Sequence, residues 1–576
     1  MLHHSENPID EKLTEVMTGS SPDEQIPVFV MLAKQMNYDW LIPRAEQMSK
    51  SDRRQFVITE CQQLANEDQK ALLSYLRQKE NEGKVLDIVS QWTTNTICLK
   101  AKPEVIKQIA QRNDIWGIGY SEPLQLIGVE NTEKPIYKHV DFIPEDGREI
   151  CWGVAKINAD DVWTLGYTGA GVIVGHMDSG VNYNHDDLDD HMWDGSPTYP
   201  HHGWDFSSGD DDPMDIDGHG TLTAGIVAGD GTCGSNTGVA PDAQIMALRI
   251  YPGGTSEMGQ AISFALSNDA DLLSCSIGWP DPNNAIKDWC RGQSITVYAA
   301  GIVWCNAAGN GDGFGGHYAV PQDINSPADC PGPYYGPNGG NSASIAVGAT
   351  DIGDDVCSWS SYGPTHWSTG TYSDYPHPPG LTKPDVAAPG TGLKSLRYDD
   401  DTGYDNTNVD GTSFSQPHLA GTIALMLEKE PSLLPRQIDS IIQEYGVIDI
   451  EIPGRDNLSG AGRIDALMAV NAISEGYRAK NVWIINQETA TGMLEVTGIT
   501  QAQNEDWIIG KTTKNANAGE IIRIIISTNI RTYKAWTIVI CTPRERTKNI
   551  DLPIISNGNF SIAHIITGCA PSSIIP

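Results

Sequence analysis

The sequence predicts an α/β protein whose largest region is a mostly parallel sheet with helices on both faces. Three observations carry that expectation. Between residues 153 and 475, short apolar runs alternate with helical patterns. Those runs are continuous rather than alternating with polar residues, which is how strands buried on both faces read. Glycine and alanine rise over the same stretch, as close packing of helices on a sheet requires.

The strands of this region are "GVIVGHMD", "AQIMALRI", "ADLLSCSIG", "GIVWCNAAGN" and "ASIAVGAT". The helices are "TLTAGIVAG", "MGQAISFALSN" and "QPHLAGTIALMLEK". Such alternation implies βα units. Two other textures flank it. Residues 1–125 are rich in Glu, Gln, Lys and Arg, with "IPVFVML" and "TTNTICLKA" as strands and "SDRRQFVITECQQLANEDQKALLSYLRQK" and "PEVIKQIAQR" as helices. They predict a small α+β module. Residues 126–152 read as an exposed polar linker with the turn signal "IPEDG". Residues 476–576 hold strand-like pieces such as "KNVWIIN" and "EIIRIIIST", and predict a small β-rich, sandwich-like domain.

Composition removes several function classes. The 576 residues carry a formal net charge of −36, which argues against nucleic acid as a partner, because phosphate binding needs Lys and Arg. No stretch is long and apolar enough to span a membrane. Eleven cysteines include no C-x-x-C pair, so a structural zinc site has little support. Cys275, Cys290, Cys305 and Cys330 are candidates for a bridge or, equally, for buried free thiols. The N-terminus lacks the basic start and apolar core of a signal peptide.

Four residues could carry chemistry. Asp178 ends an apolar strand, the end of a parallel sheet where functional side chains gather. His219 stands between two glycines ahead of a small-residue helix. Ser413 follows Gly411 and opens the helix that carries Pro417. Taken alone, these read as a turn former, an incidental histidine and a helix cap. Taken together they supply a hydroxyl, a base that titrates near neutrality and a carboxylate to orient the base. Asn310, ending "NAAGN", adds an amide for a developing oxyanion.

The blocks "DSG" at Asp178, "GHGTLTAG" around His219, "GVAPDAQIMALRI" from Gly238, "SIG" from Ser276, "AAGN", "SSYGP" from Ser360, "KPDVAAPG" from Lys383 and "GTSFSQPHLAG" from Gly411 run in order over about three hundred residues. The middle region resembles the subtilisin-like serine peptidases, and the stretch "GIVAGDGTCGSNTGVAP" resembles their extracellular bacillopeptidase-type members. The resemblance implies a serine endopeptidase working through an acyl-enzyme on protein or peptide substrates. Ser413 would be the nucleophile, His219 the base, Asp178 its orienter and Asn310 the oxyanion donor. The strand of Ser276, Ile277 and Gly278 would pair with the substrate backbone. Trp279 would either narrow the pocket for the residue before the cut bond or pack at its rim. The alternative is a non-catalytic binding protein on the same fold.

The resemblance further implies that residues 1–125 are a propeptide covering the active site, cut off somewhere in 124–152. It also implies an exported zymogen whose signal is absent from this sequence, with an intracellular enzyme as the alternative. No cofactor is required. Calcium remains open at the acidic run Asp205, Asp210, Asp212, Asp215 and Asp217, where solvated loop charge is the competing reading. Thr223 stands where the family usually has His, and Phe414 where it usually has Met; neither is expected to touch a triad atom.

Overall fold

In the computed structural model the described residues are 8–127, 149–311, 317–333, 342–366, 381–405 and 409–474, with five β-strands beyond them. Two compact units separate at residue 471. The first begins with four strands, β1 (Ile26–Leu32), β2 (Val85–Gln91), β3 (Thr96–Ala101) and β4 (Ile115–Tyr120), in the antiparallel order β2-β3-β1-β4. Five helices accompany them: α1 (Glu11–Gly19), α2 (Tyr38–Ala45), α3 (Lys50–Asp68), α4 (Lys70–Asn81) and α5 (Pro103–Ile109). The long helical run of the sequence is thus broken at Gln69, whose buried amide donates to Gln91 O at 3.0 Å.

The alternation of side chains along β1 explains its unbroken apolar sequence. Val28, Val30 and Leu32 pack with Leu13, Leu76 and Ile106 in the module's own core. Phe29 and Met31, on the opposite face, join Trp279, Ile286 and Trp289 of the following region in a second, continuous core. The rings of Phe29 and Trp289 lie 6.4 Å apart. A sheet apolar on both faces has to be covered on both, and here the second cover comes from the region that follows in the same unit.

That cover is made by two helices, Thr255–Ser267 and Asn284–Ala299, which pack in turn on a nine-stranded sheet. Its strands are β6 (Ile173–Asp178), β7 (Gly203–Asp205), β8 (Gln244–Arg249), β9 (Leu272–Cys275), β11 (Val303–Ala307), β12 (Ser344–Thr350), β13 (Val386–Pro389), β14 (Val447–Ile448) and β15 (Arg463–Ile464). The order is β14-β15-β13-β12-β11-β9-β6-β8-β7, and every ladder is parallel except β14–β15 at the edge. The connection from β8 to β9 passes over β6, so the strand order reverses at β6. Open sheets bind ligands outside the carboxyl ends of the strands at such a point, and Asp178 is the last residue of β6.

Four helices matter to the site: α6 (His219–Ala228), α7 (Thr255–Ser267), α8 (Asn284–Ala299) and α9 (Thr412–Lys429). From Thr412 to Leu427 every residue of α9 is buried, as expected of a helix running through a core rather than over it. All nine described cysteines are free thiols, Cys275, Cys290, Cys305 and Cys330 among them. No described helix is long and apolar enough to cross a membrane.

The second unit contains a three-stranded antiparallel sheet, Trp483–Ile485, Gly492–Thr500 and Ile508–Ala516, and an antiparallel pair, Ile521–Ser527 with Thr532–Val539. Phe29 belongs to the core shared by the module and the large sheet. In a Ser413→Ala background, Phe29→Ala is expected to lower the unfolding free energy of the intact chain by about 3–5 kcal/mol. Denaturant unfolding measures it; a loss under ~1 kcal/mol would mean that this face is not a packed core.

Candidate active site

Asp178 is fully buried, and its carboxylate is saturated with donors. Oδ1 accepts from His219 Nδ1 at 2.7 Å and from the Ser179 N–H at 2.8 Å. Oδ2 accepts from the Thr223 hydroxyl at 3.1 Å. The Thr223 hydroxyl also lies 3.0 Å from Nε2 of His176, a buried histidine two residues before Asp178 on β6. Thr223 therefore does touch a triad atom, contrary to the expectation from the sequence. Residues 219 and 223 are one helical turn apart on α6, which puts both side chains on the face toward Asp178.

Burial opposes the charge of each partner in the Asp178–His219 pair, but their mutual attraction and hydrogen bond outweigh it. The carboxyl is held below its ordinary value. The imidazole is held above its own. His219 Nε2 and Ser413 Oγ are both buried, and neither has a hydrogen-bond partner among the described residues. The Ser413–His219 hydrogen bond is thus not made in this state, although the His219 ring stands 5.5 Å from that of Phe414, the residue after Ser413. Buried polar atoms without partners call for an explanation, and a catalytic role is one.

Ser413 opens α9, so its N–H belongs to the first turn, whose donors have no intrahelical acceptor. The turn before it requires glycine: Gly411 has φ +150°. A methyl group there would stand 2.9 Å from Ser413 Oγ, 3.2 Å from Asn310 Nδ2 and 3.3 Å from Ile127 O. These three atoms surround one point. Asn310 Nδ2 donates to Ile127 O at 3.0 Å. Its Oδ1 accepts from the N–H and the hydroxyl of Thr412, both at 2.9 Å, which fixes the direction of the amide. Thr412 is a positioning residue that no motif in the sequence singles out.

The segment before Ile127 lies in the cleft as an added strand. Leu124 N–H donates to Gly253 O at 2.7 Å. β5 (Gln125–Leu126) pairs antiparallel with β10 (Ile277–Gly278), Leu126 opposite Ile277 and Gln125 opposite Gly278. Ile127 N–H donates to Ser276 O at 3.2 Å. Gly278 is a wall here: a Cβ on it would meet Ser326 O at 2.4 Å and sit 3.5 Å from Ile127 Cδ1. Ser276, Ile277 and Gly278 thus line the segment. Trp279 does not. It is 1% exposed, pairs with Ser326 through its backbone, packs edge-on against Trp289 at 6.1 Å and donates its indole N–H to Glu122 O at 2.9 Å.

The acidic run does not converge. Asp205 pairs with Arg249 at 2.7 Å. Asp215 accepts from Ser179, Gly218 and Thr221. Asp212 accepts from Tyr183. The group with metal-like spacing among the described residues is His185, Asp187 and Cys233, and its donors are already committed. His185 Nδ1 accepts from Asp187 N–H, and Nε2 faces Gly403 O. The Asp187 oxygens accept from Cys233 N–H and Tyr404. Calcium, which takes about six to eight oxygens, does not fit either place.

A parallel sheet with these side chains at its carboxyl edge defines the α/β serine peptidase class. The subtilase family model matches residues 169–462. The chain is 28% identical over 462 residues to bacillopeptidase F of Bacillus subtilis (strain 168), covering 74% of this chain and 29% of that protein. It is 31% identical over 318 residues to subtilisin DY of Bacillus licheniformis, 52% of this chain and 97% of that protein. It is 26% identical over 324 residues to subtilisin BL of Lederbergia lenta, 55% and 98%. The chain belongs to the subtilase family, and the family supports serine endopeptidase activity over a non-catalytic binding role.

The raised pKa of His219 fixes the direction of a pH effect. Only the neutral imidazole can accept a proton, so activity falls as pH drops through that pKa. The acid limb of kcat/KM should have its midpoint above about 6.5, the ordinary histidine value. Asp178→Asn should move the midpoint down and lower kcat roughly 10⁴-fold. A midpoint that Asp178→Asn leaves in place would detach the limb from His219.

Proposed function

We propose that the chain is the zymogen of a serine endopeptidase that cuts itself between Ile127 and Gly128. The observation that carries this reading is the Ile127 carbonyl oxygen, 3.0 Å from the Asn310 amide and beside Ser413 Oγ. Ser413 Oγ attacks the Ile127 carbonyl carbon while His219 Nε2 takes the hydroxyl proton. Asp178 holds the imidazole with Nε2 toward the serine and stabilises the imidazolium. The oxyanion is met by Asn310 Nδ2 and the Ser413 N–H. The tetrahedral centre collapses, His219 gives its proton to the Gly128 nitrogen, and that amine leaves. Water, deprotonated by His219, then releases Ile127 as a carboxylate and frees Ser413. Substrates in trans repeat the cycle, with their backbone laid along Ser276, Ile277 and Gly278.

In this reading residues 1–125 act as the propeptide. Their shared core with the large sheet supports it, as do the buried Arg54, which donates to Ala270 O at 2.6 Å, and Gln91, which donates to Thr255 O at 2.9 Å. A product segment held this firmly inhibits until it is degraded. An enzyme made in a sealed form suits export, and the extracellular setting is part of the proposal. Seven of the nine described cysteines are buried free thiols, which do not need a reducing compartment.

Purified full-length chain should yield a fragment with Gly128 as its new N-terminus, and Ser413→Ala should stay intact and unlabelled by a fluorophosphonate. Asn310→Leu should slow turnover by about 10²–10³, a range measured in a subtilisin. A cut elsewhere, or labelling that survives Ser413→Ala, overturns the assignment.

A further inference from the structure

The contacts of the bound segment do not stop at Leu124. Two residues upstream, Glu122 is held at both its backbone and its side chain. Its carbonyl oxygen accepts from Trp279 Nε1 at 2.9 Å, and its Oε1 accepts from Asn283 Nδ2 at 2.7 Å. Both donors belong to the peptidase region and both are fixed. The Trp279 indole is wedged on Trp289 in the core. Asn283 is the N-cap of α8, its Oδ1 accepting from Ile286 N–H at 2.8 Å, which leaves Nδ2 to face the cleft. We propose that Trp279 and Asn283 form a substrate subsite for the sixth residue before the cut bond, one that selects a long side chain with a neutral carbonyl acceptor, glutamine above all. The proposal rests on the reading that Leu124–Ile127 lies as substrate does.

The preference for glutamine over glutamate follows from the charges around Glu122. Those that bear on its carboxylate are Lys12 and Asp10, from the N-terminal module, and Asp281, from the peptidase region. Lys12 and Asp10 both leave with the module, and Asp281 stays. A peptide arriving in its place meets an amide donor and a negative Asp281. Burial already holds the Glu122 carboxyl above its ordinary value while Lys12 is present. A glutamine carbonyl accepts the same hydrogen bond without a charge to desolvate.

The test uses the self-processed full chain and fluorogenic peptides acetyl-X-Pro-Leu-Gln-Leu-Ile-aminomethylcoumarin, which release the fluorescent amine on cleavage after Ile, with X as Gln, Glu, Leu or Ala. At pH 8 the Gln peptide should exceed the Leu peptide in kcat/KM by about 5- to 10-fold, the ratio expected of one net hydrogen bond. Glu should fall between them. Asn283→Asp keeps the acceptor that caps α8 and removes the donor; in that variant the Gln-to-Leu ratio should fall to about 1 and the Glu peptide should become the poorest of the four. Ratios within one enzyme cancel any general loss of activity. Equal rates for Gln and Leu would overturn the subsite and leave the Ile127 register standing. Failure to cut any of the peptides after Ile would overturn both. Glu outpacing Gln would overturn the choice of a neutral acceptor.

Discussion

The hydrogen bond from the Asn310 amide to the Ile127 carbonyl is the contact on which the rest of the structure turns. It needs an amide whose orientation is settled in advance. Thr412 settles it by donating twice to Oδ1, from its N–H and its hydroxyl. Thr412 can do so only at the start of α9, where its N–H has no helical acceptor. The turn must also let the backbone pass within reach of Ser413 and Asn310 without a side chain, and only glycine at 411 allows that. One short stretch of sequence thus ties together the loop after strand β11, the start of the central helix and Ile127 of the N-terminal segment.

Holding that segment requires more than one bond, and the module supplies the remainder by burial. Its sheet presents Phe29 and Met31 to the peptidase side while Val28 and Val30 face its own helices. Several polar groups at this boundary are paired across it. Arg54 bonds Asp269 and Ala270, Lys50 bonds Asp271, and Gln91 stands between Thr255 and Trp289. Unpaired, each would cost more than it contributes. Paired, they fix one docking orientation, which is what delivers Leu124 to Gly253 and Ile127 to Asn310 in a single register.

The large sheet was legible because its strands are continuous apolar runs. β6, β8, β9, β11 and β12 all fall inside runs named from the sequence. The helix α8 was not, since "NAIKDWCRGQSITVYA" mixes glycine, charge and β-branched residues. Its burial against α2, α3 and the sheet overrides weak local propensity. β2 is not legible for a related reason: "VLDIVSQ" lacks an alternating apolar pattern and is held by its ladder to β3. At the site, residue types named Asp178, His219, Ser413 and Asn310, and the fold brings their elements to one sheet edge. Sequence could not show Trp279 turned from the pocket toward Glu122, because which way a ring turns depends on Trp289 and Ser326, remote in sequence.

Thr223 shows how a departure from a family pattern is absorbed. A histidine at this place would bring its own ring behind Asp178. Threonine is smaller and cannot fill the same space, yet the carboxylate still needs a donor on Oδ2, because an unpaired carboxylate oxygen is costly in a buried site. The hydroxyl supplies that donor at 3.1 Å. The ring comes instead from the strand of Asp178 itself: His176 reaches Thr223 at 3.0 Å, and burial holds its pKa below the ordinary histidine value, so it stays neutral beside Asp178 and His219. A neutral ring leaves the charge balance of Asp178 and His219 to those two residues. A second imidazolium here would stabilise the Asp178 carboxylate at the expense of the one on His219, and so make His219 less basic.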